Sequence, residues 1–258
     1  MIAIRGGAGL GDAIYQRPIV ERFVARGEQV TVCNSYPDVF LGSGAKVEPF
    51  RRDHIDVLAH YTAGKQNPAT TQWQDLCNRA GVDAPLRITW RTRNAAMIAG
   101  LRKLAGERPL LVVHGGRAPM GRSDGFGREL LPQREAFAAT LAVLGDCFTV
   151  QVGQAVQIYP LECDVIMNGC TSVADLIDLG QACDGIVGQC SFAVPLAEVF
   201  DKPALFVWAA RGMESGRHPY IRSITPRKVL SKATSGYVMD NWTPGQIEGG
   251  ARAFRESL

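Results

Sequence analysis

Near its start the sequence reads Gly6-Gly7-Ala8-Gly9-Leu10-Gly11-Asp12, a stretch whose residue types can do chemistry. Glycines carry no Cβ, so backbone N–H groups there can approach a ligand closely. A helix opening at such a loop adds unpaired N–H donors and the positive end of its dipole, and both favour an anion. Asp12 admits two readings. In the first turn of a helix it caps N–H groups and complements the dipole; at the mouth of a cleft it can take the proton of an attacking hydroxyl. The spacing argues against two common sites. With Gly7 and Gly9 as the first glycines of a dinucleotide fingerprint, the third falls at position 12, an aspartate, and no Gly-Lys-Ser/Thr follows as a P-loop requires. An NAD-linked oxidoreductase is further disfavoured by Asn34, which stands where an acidic ribose ligand is expected.

Such a loop needs a strand before it and a helix after it. Met1 to Arg5 reads as a buried strand, Asp12 to Ala25 carries Ile14, Ile19, Val20, Phe23 and Val24 at helical spacing, and Gln29 to Cys33 is a second β-rich run. Signals weaken between Asn34 and Trp90. Turns at Tyr36-Pro37-Asp38 and Gly42-Ser43-Gly44 precede an expected helix from Thr71 to Ala80 and a short strand from Leu86 to Trp90. Asn94 to Ala105 reads as a helix stopped by Gly106-Glu107-Arg108-Pro109, the expected domain junction. A second cycle then opens, with Leu110 to His114 running into Gly115-Gly116. Helix Gln133 to Leu144, strands Cys147 to Val152 and Cys163 to Met167, helix Val173 to Ala182, strand Gly185 to Val187, helix Phe192 to Phe200 and strand Ala204 to Trp208 follow. Thr243-Pro244 starts a last helix that runs to the C-terminus. The alternation predicts an α/β protein with parallel sheets covered on both faces. The expected division is residues 1–106, residues 107–242, and a C-terminal helix at 243–258 packing back on the first domain.

Composition narrows the class. The 258 residues are 46% hydrophobic and 21% charged, an ordinary globular balance. No stretch of about 18 uninterrupted apolar residues occurs, so no transmembrane segment is expected, and the opening Met1 to Gly7 has no secretory leader pattern. A cytoplasmic protein is expected, with any membrane association peripheral. Residues 1–105 hold 14 Lys/Arg against 9 Asp/Glu, and residues 106–258 hold 14 against 16. That modestly basic first half suits an anionic partner or is a solvated surface. The seven cysteines form no Cys-x-x-Cys pair and the four histidines show no zinc spacing, so buried thiols and no structural metal are expected. His114, ending an apolar strand, reads as a structural histidine.

In this order the residues resemble a known family. Ile4-Arg-Gly-Gly-Ala-Gly-Leu-Gly-Asp12 followed by Pro18-Ile19-Val20 is similar to the opening of the heptosyltransferase-like glycosyltransferases of family 9, roughly R-x-x-x-x-G-D-x-x-x-x-x-P-h-h. Val112-Val-His-Gly-Gly116 resembles that family's approach to the donor domain. Thr171 to Gly188 is similar to its "elaaLiaradlvvg" segment, and Leu196 to Pro203 with Ala204 to Val207 follows its next helix and strand. About half of the chain is covered, and the order of the motifs carries the resemblance. It implies a GT-B architecture: two facing Rossmann-like domains, with the acceptor on the first and a nucleotide-sugar donor on the second. It also implies an inverting glycosyltransferase in which Asp12 is the general base, with Gly9, Leu10 and Gly11 on the acceptor side and Gly115, Gly116, Gly188, Gln189, Ser191 and Phe192 on the donor side. The chain is short for the family, the missing length being expected in the middle of the acceptor domain.

Further roles follow from the resemblance and the residue types together. Arg117 and Arg122, in a glycine-rich stretch, can clamp a diphosphate bidentately, although the stretch reads equally as a solvated connection. Gln154 falls where the family contacts the nucleoside ribose. Arg91 and Arg93, with Arg87, can meet an anionic acceptor such as a phosphorylated saccharide, a glycolipid or a nucleic acid, or are surface charges; Trp73 and Trp90 can stack on a sugar or base, or are half-buried core. No cofactor beyond the nucleotide sugar and no metal are expected. The departure is the donor loop. Where the family reads Asp-Ser-Gly-x-x-His, this chain has Cys190-Ser-Phe-Ala-Val-Pro195, keeping only Ser191, which can cap the next helix and present N–H donors. The alternative function is therefore a non-catalytic nucleotide or sugar-nucleotide binding protein built on the same fold.

Overall fold

The computed structural model describes residues 1–7, 9–50, 55–59, 69–115, 133–154, 160–210 and 225–258. Two parallel sheets organise them. The first comprises β1 (Ile2–Gly6), β2 (Val30–Cys33), β3 (Lys46–Glu48) and β4 (Val57–Ala59) in the order β3-β2-β1-β4. Ile4 stands opposite Val32 on one side and Val57 on the other. Helix α1 (Leu10–Ala25) returns the chain from β1 to β2, burying Ile14, Ile19, Val20 and Phe23. The short β3 and β4 fall where the sequence carries weak signals, because edge strands of three residues leave too little periodicity to read.

The second sheet comprises β5 (Leu110–His114), β6 (Phe148–Gln151), β7 (Val165–Ile166), β8 (Gly185–Gly188), β9 (Ala204–Trp208) and β10 (Ser235–Met239), in the order β10-β9-β8-β5-β6-β7. Counted from β5, this is the doubly wound order 3-2-1-4-5-6. All five residues of β5 are buried, and so the segment reads as a continuous apolar run rather than an alternating one. Helices α2 (Gln72–Ala80), α3 (Ala95–Ala105), α4 (Arg134–Val143), α5 (Val173–Ala182), α6 (Ala193–Val199), α7 (Pro226–Val229) and α8 (Pro244–Glu256), with a short 3-10 turn at Pro37–Phe40, complete the described elements. Capping explains several starts. Thr71 accepts from Gln74 N–H, Ser172 from Asp175 N–H and Thr243 from Gln246 N–H, each with a reciprocal side chain three residues on. Among the described residues no helix is long and apolar enough to cross a membrane.

Two expectations fail for physical reasons. Leu86 to Trp90 joins neither sheet; at Thr89 its backbone is held by side chains of α1, with Thr89 N–H donating to Glu21 at 3.1 Å and the Arg17 guanidinium donating to the Thr89 carbonyl. The last helix does not return to the first half. Its apolar face of Ile247, Ala251 and Phe254 packs with Phe137, Leu141 and Val238 on the six-stranded sheet, and Arg255 pairs with Asp146 at 2.7 Å. The principal apolar cluster is continuous from Ile4, Ile14 and Val32 of the first sheet region to Val112, Ile186 and Leu196 of the second.

Candidate functional site

Both sheets present a topological switch point, β1 against β4 and β5 against β8, where strands leave in opposite directions and ligands of open α/β sheets bind. The glycine loop follows β1. A Cβ on Gly7 would lie 2.2 Å from Asp12 Oδ2, so position 7 must be glycine for the Asp12 side chain to fold back over the loop. There Oδ2 accepts the Gly9 N–H at 3.1 Å. The capping reading of Asp12 is thus realised.

The facing wall is built on the ends of β5 and β8. Gln189 N–H donates to the His114 carbonyl at 3.0 Å, carrying the sheet pairing one residue beyond Gly188. The His114 side chain is 6% exposed; its Nδ1 lies 2.8 Å from Ser191 Oγ, and its ring lies 4.3 Å from that of Phe192. Ser191 Oγ also accepts from Ala193 N–H at 3.2 Å and stands 3.1 Å from the Gln189 carbonyl. With one proton on the hydroxyl, Ser191 donates either to Gln189 or to His114. Its expected capping role is therefore a contact to the first residue of α6, combined with organising the loop. Gln151, fully buried, steadies the neighbouring turn: Nε2 donates to the Gly115 carbonyl at 3.2 Å and Oε1 accepts Leu161 N–H at 2.9 Å.

The two walls touch. A Cβ placed on Gly11 would meet Phe192 Cα at 3.3 Å and Pro195 Cγ at 3.5 Å, so the first turn of α1 lies directly against the start of α6. One turn deeper, Tyr15 Oη donates to Glu198 Oε2 at 2.8 Å, with Glu198 fully buried. The other Glu198 oxygen accepts the backbone N–H groups of Ser231 and Lys232. Burial pushes the Glu198 carboxyl above its ordinary value, and these hydrogen bonds oppose the shift without cancelling it.

The expected site residues therefore divide. Gly9, Leu10, Gly11 and Asp12 on one side and Gly188, Gln189, Ser191 and Phe192 on the other form one locus, with Gly115 behind it at the end of β5. Arg91 and Arg93 are exposed. Arg93 N–H donates to Asp178 Oδ2 at 2.9 Å, and its guanidinium lies 5.7 Å from the Trp90 ring. Trp90 and Trp73 are each 7% exposed, so both serve as core rather than as stacking platforms. Gln154 is exposed, three residues past β6. Gly116, Arg117 and Arg122 lie outside the described residues. His114 is buried and hydrogen-bonded, in line with its structural reading from sequence, whereas Tyr15, Gln151 and Glu198 were not singled out. Glu198 alone left a signal, as a carboxylate inside the apolar run Val194 to Phe200. Among the described residues no group of three or more His, Cys, Asp or Glu is placed to hold a metal ion.

No protein-family model matches the sequence, and no curated protein matches it. Solved structures do. The chain is similar to E. coli ADP-heptose LPS heptosyltransferase II, with a TM-score of 0.66 at 12% identity over 100% of this chain and 99% of that one. It is also similar to a family 9 glycosyltransferase from Veillonella parvula, at 0.66 and 9% over 99% and 97%. A third likeness is to the iron-containing dodecameric glycosyltransferase TibC from enterotoxigenic E. coli, at 0.63 and 13% over 100% and 76%. The fold is thus α/β of the GT-B type, with two Rossmann-like parallel sheets, as the resemblance in sequence implied.

Proposed function

We propose that this chain is an inverting glycosyltransferase that takes a sugar from a nucleotide-sugar donor to an acceptor hydroxyl. The observation that carries the reading is the close approach of Gly11, the residue before Asp12 on the first turn of α1, to Phe192 and Pro195 beside the switch point of the second sheet. The acceptor is assigned to residues 1–106 and the donor to residues 107–242. In the step proposed, the acceptor oxygen bonds to the anomeric carbon as its proton passes to Asp12. The bond from that carbon to the phosphate oxygen breaks, and its electron pair leaves on the nucleoside diphosphate. Arg117 and Arg122 are the candidates to hold the leaving charge, and the reaction as assigned uses no cofactor besides the donor. The ADP-heptose named for the E. coli neighbour makes ADP-sugars the first donors to test.

The test is release of nucleoside diphosphate from a panel of ADP-, UDP- and GDP-sugars, with and without phosphorylated saccharide acceptors. Turnover that survives in Asp12→Asn would remove the base assignment. A second reading, a nucleotide or sugar-nucleotide binder without turnover, draws on Ser191, whose hydroxyl is engaged by His114, Gln189 and Ala193 of its own wall. Under that reading the same ligands raise the melting temperature but are recovered unchanged.

A further inference from the structure

Gln16 follows Asp12 by one turn of α1, so the two side chains share a face of the helix. Gly6, which ends β1, and Gly7 after it make room for both. A Cβ on Gly7 would strike Asp12, and a Cβ on Gly6 would lie 3.0 Å from Gln16 Oε1 and 3.0 Å from the Ala59 carbonyl oxygen at the end of β4. The Gln16 carboxamide therefore lies in the space of a missing side chain at the β1/β4 switch point, where open α/β sheets receive ligands. A chain of hydrogen bonds fixes its orientation. The backbone N–H of Tyr36 can only donate, so its 2.8 Å contact identifies Asn34 Oδ1; Asn34 then turns Nδ2 to Gln16 and donates to Oε1 at 2.7 Å. That leaves Gln16 Nε2, with two N–H donors, buried and without a hydrogen-bond partner among the described residues, on a side chain only 1% exposed.

Buried amide donors in folded proteins are nearly always matched, so an unmatched pair calls for an explanation. We propose that Gln16 Nε2 donates to a second oxygen of the acceptor substrate while Asp12, one turn nearer the helix start, takes the proton of the reacting hydroxyl. The acceptor is then a polyhydroxylated sugar rather than an isolated hydroxyl such as a serine side chain. A neutral carboxamide suits this task. It donates to a hydroxyl or ring oxygen without the charge that would draw in any anion, and Asn34 already holds it, so little side-chain freedom is lost when the ligand arrives. A lone hydroxyl would satisfy Asp12 and leave both Gln16 donors unmatched, which is how a hydrogen-bonding site rejects a substrate lacking the matching group. The inference rests on the assignment of the acceptor to residues 1–106 and of Asp12 as its base.

The test follows the side-chain NH2 resonances of isotope-labelled glutamine in the full chain by NMR, with the Gln16 pair assigned by its loss in Gln16→Met. The probes are glucose and mannose phosphorylated on their terminal carbon, and N-acetylserinamide as the isolated hydroxyl. At least one sugar is expected to move the Gln16 resonances, and N-acetylserinamide is not. Gln16→Met, close in length but without donors, should raise the Kd of that sugar about tenfold, with binding of ADP unchanged and thermal melts checking the fold. The proposal is overturned if neither sugar moves the resonances of the parent protein, if Gln16→Met binds the sugar as the parent does, or if N-acetylserinamide gives the same shifts. An ordered water on Nε2 that stays in place in a crystal structure of the sugar complex overturns it as well. The outcomes separate from those for the activity: sugar held by Gln16 without product keeps the site and removes the transfer, and transfer whose acceptor KM ignores Gln16→Met does the reverse.

Discussion

Asp12 holds the Gly9 N–H and is the proposed base, and two substitutions separate the two roles. Asp12→Asn keeps a side-chain oxygen to accept that N–H but can no longer take a proton. Stability should change little, and turnover should fall by about 100-fold or more. Asp12→Ala loses both, with a further stability cost of about 1 kcal/mol. Measuring melting temperature and product release on the pair distinguishes base from cap, since a cap alone predicts that Asn behaves like the parent in both. Gly11 offers a steric probe of the same locus. A valine there would press on Phe192 and Pro195, which already lie at contact distance from an added Cβ. Gly11→Val should destabilise by about 1–3 kcal/mol, and denaturant unfolding of the variant checks it.

Helices α1 and α6 form the next scale, pinned by Tyr15 and Glu198. The pin crosses from the glycine-loop helix to the helix after the Ser191 loop, so it sets the spacing of the two walls. Tyr15→Phe removes a single hydroxyl and leaves Glu198 with its two backbone donors; a loss of about 1 kcal/mol is expected. The carboxyl also carries a pH signature. Its folded-state pKa lies above the ordinary glutamate value of 4.5 because of burial, so the folded protein holds a proton that the unfolded chain releases. Stability contributed by this group is complete below 4.5 and declines as pH rises through the raised folded value. Glu198→Gln should flatten that part of the stability profile. A profile unchanged by the substitution would show that Glu198 is not the group responsible.

At the scale of the molecule, further buried joints tie the first sheet region to the second. Asp178 accepts Trp90 Nε1 at 2.6 Å and the backbone N–H groups of Arg93 and Asn94 at 2.9 and 2.6 Å. Lys228 pairs with Asp75 at 2.7 Å, with both side chains under a tenth exposed. Together with the continuous apolar cluster, these joints predict that both sheets unfold in one transition rather than two. Asp178→Ala would strand three donors and should cost roughly 2–4 kcal/mol. Two resolved transitions in the parent protein, by calorimetry or urea, would contradict the joint as described.

Much of this architecture is written locally. Gly6 to Asp12, the apolar run Leu110 to His114 and the capping pairs Thr71/Gln74, Ser172/Asp175 and Thr243/Gln246 act within a few residues, and short-range rules read them directly. The motif order from Thr171 to Pro203 then made the GT-B fold legible. What stayed hidden depends on pairs distant in sequence. Leu86 to Trp90 has strand-like residues but gives its backbone to Arg17 and Glu21. Arg93 has the residue type of an anion site, and its backbone also joins the Asp178 joint, which no local spacing announces. The last helix meets the second sheet because Val238 and Phe137 offer its apolar face a partner there. Returning to the glycine loop, its neighbours and its helix were local matters. That Gly11 abuts Phe192, and that His114 and Ser191 stand on the same wall, required the packing of α1 on α6, which no local spacing encodes.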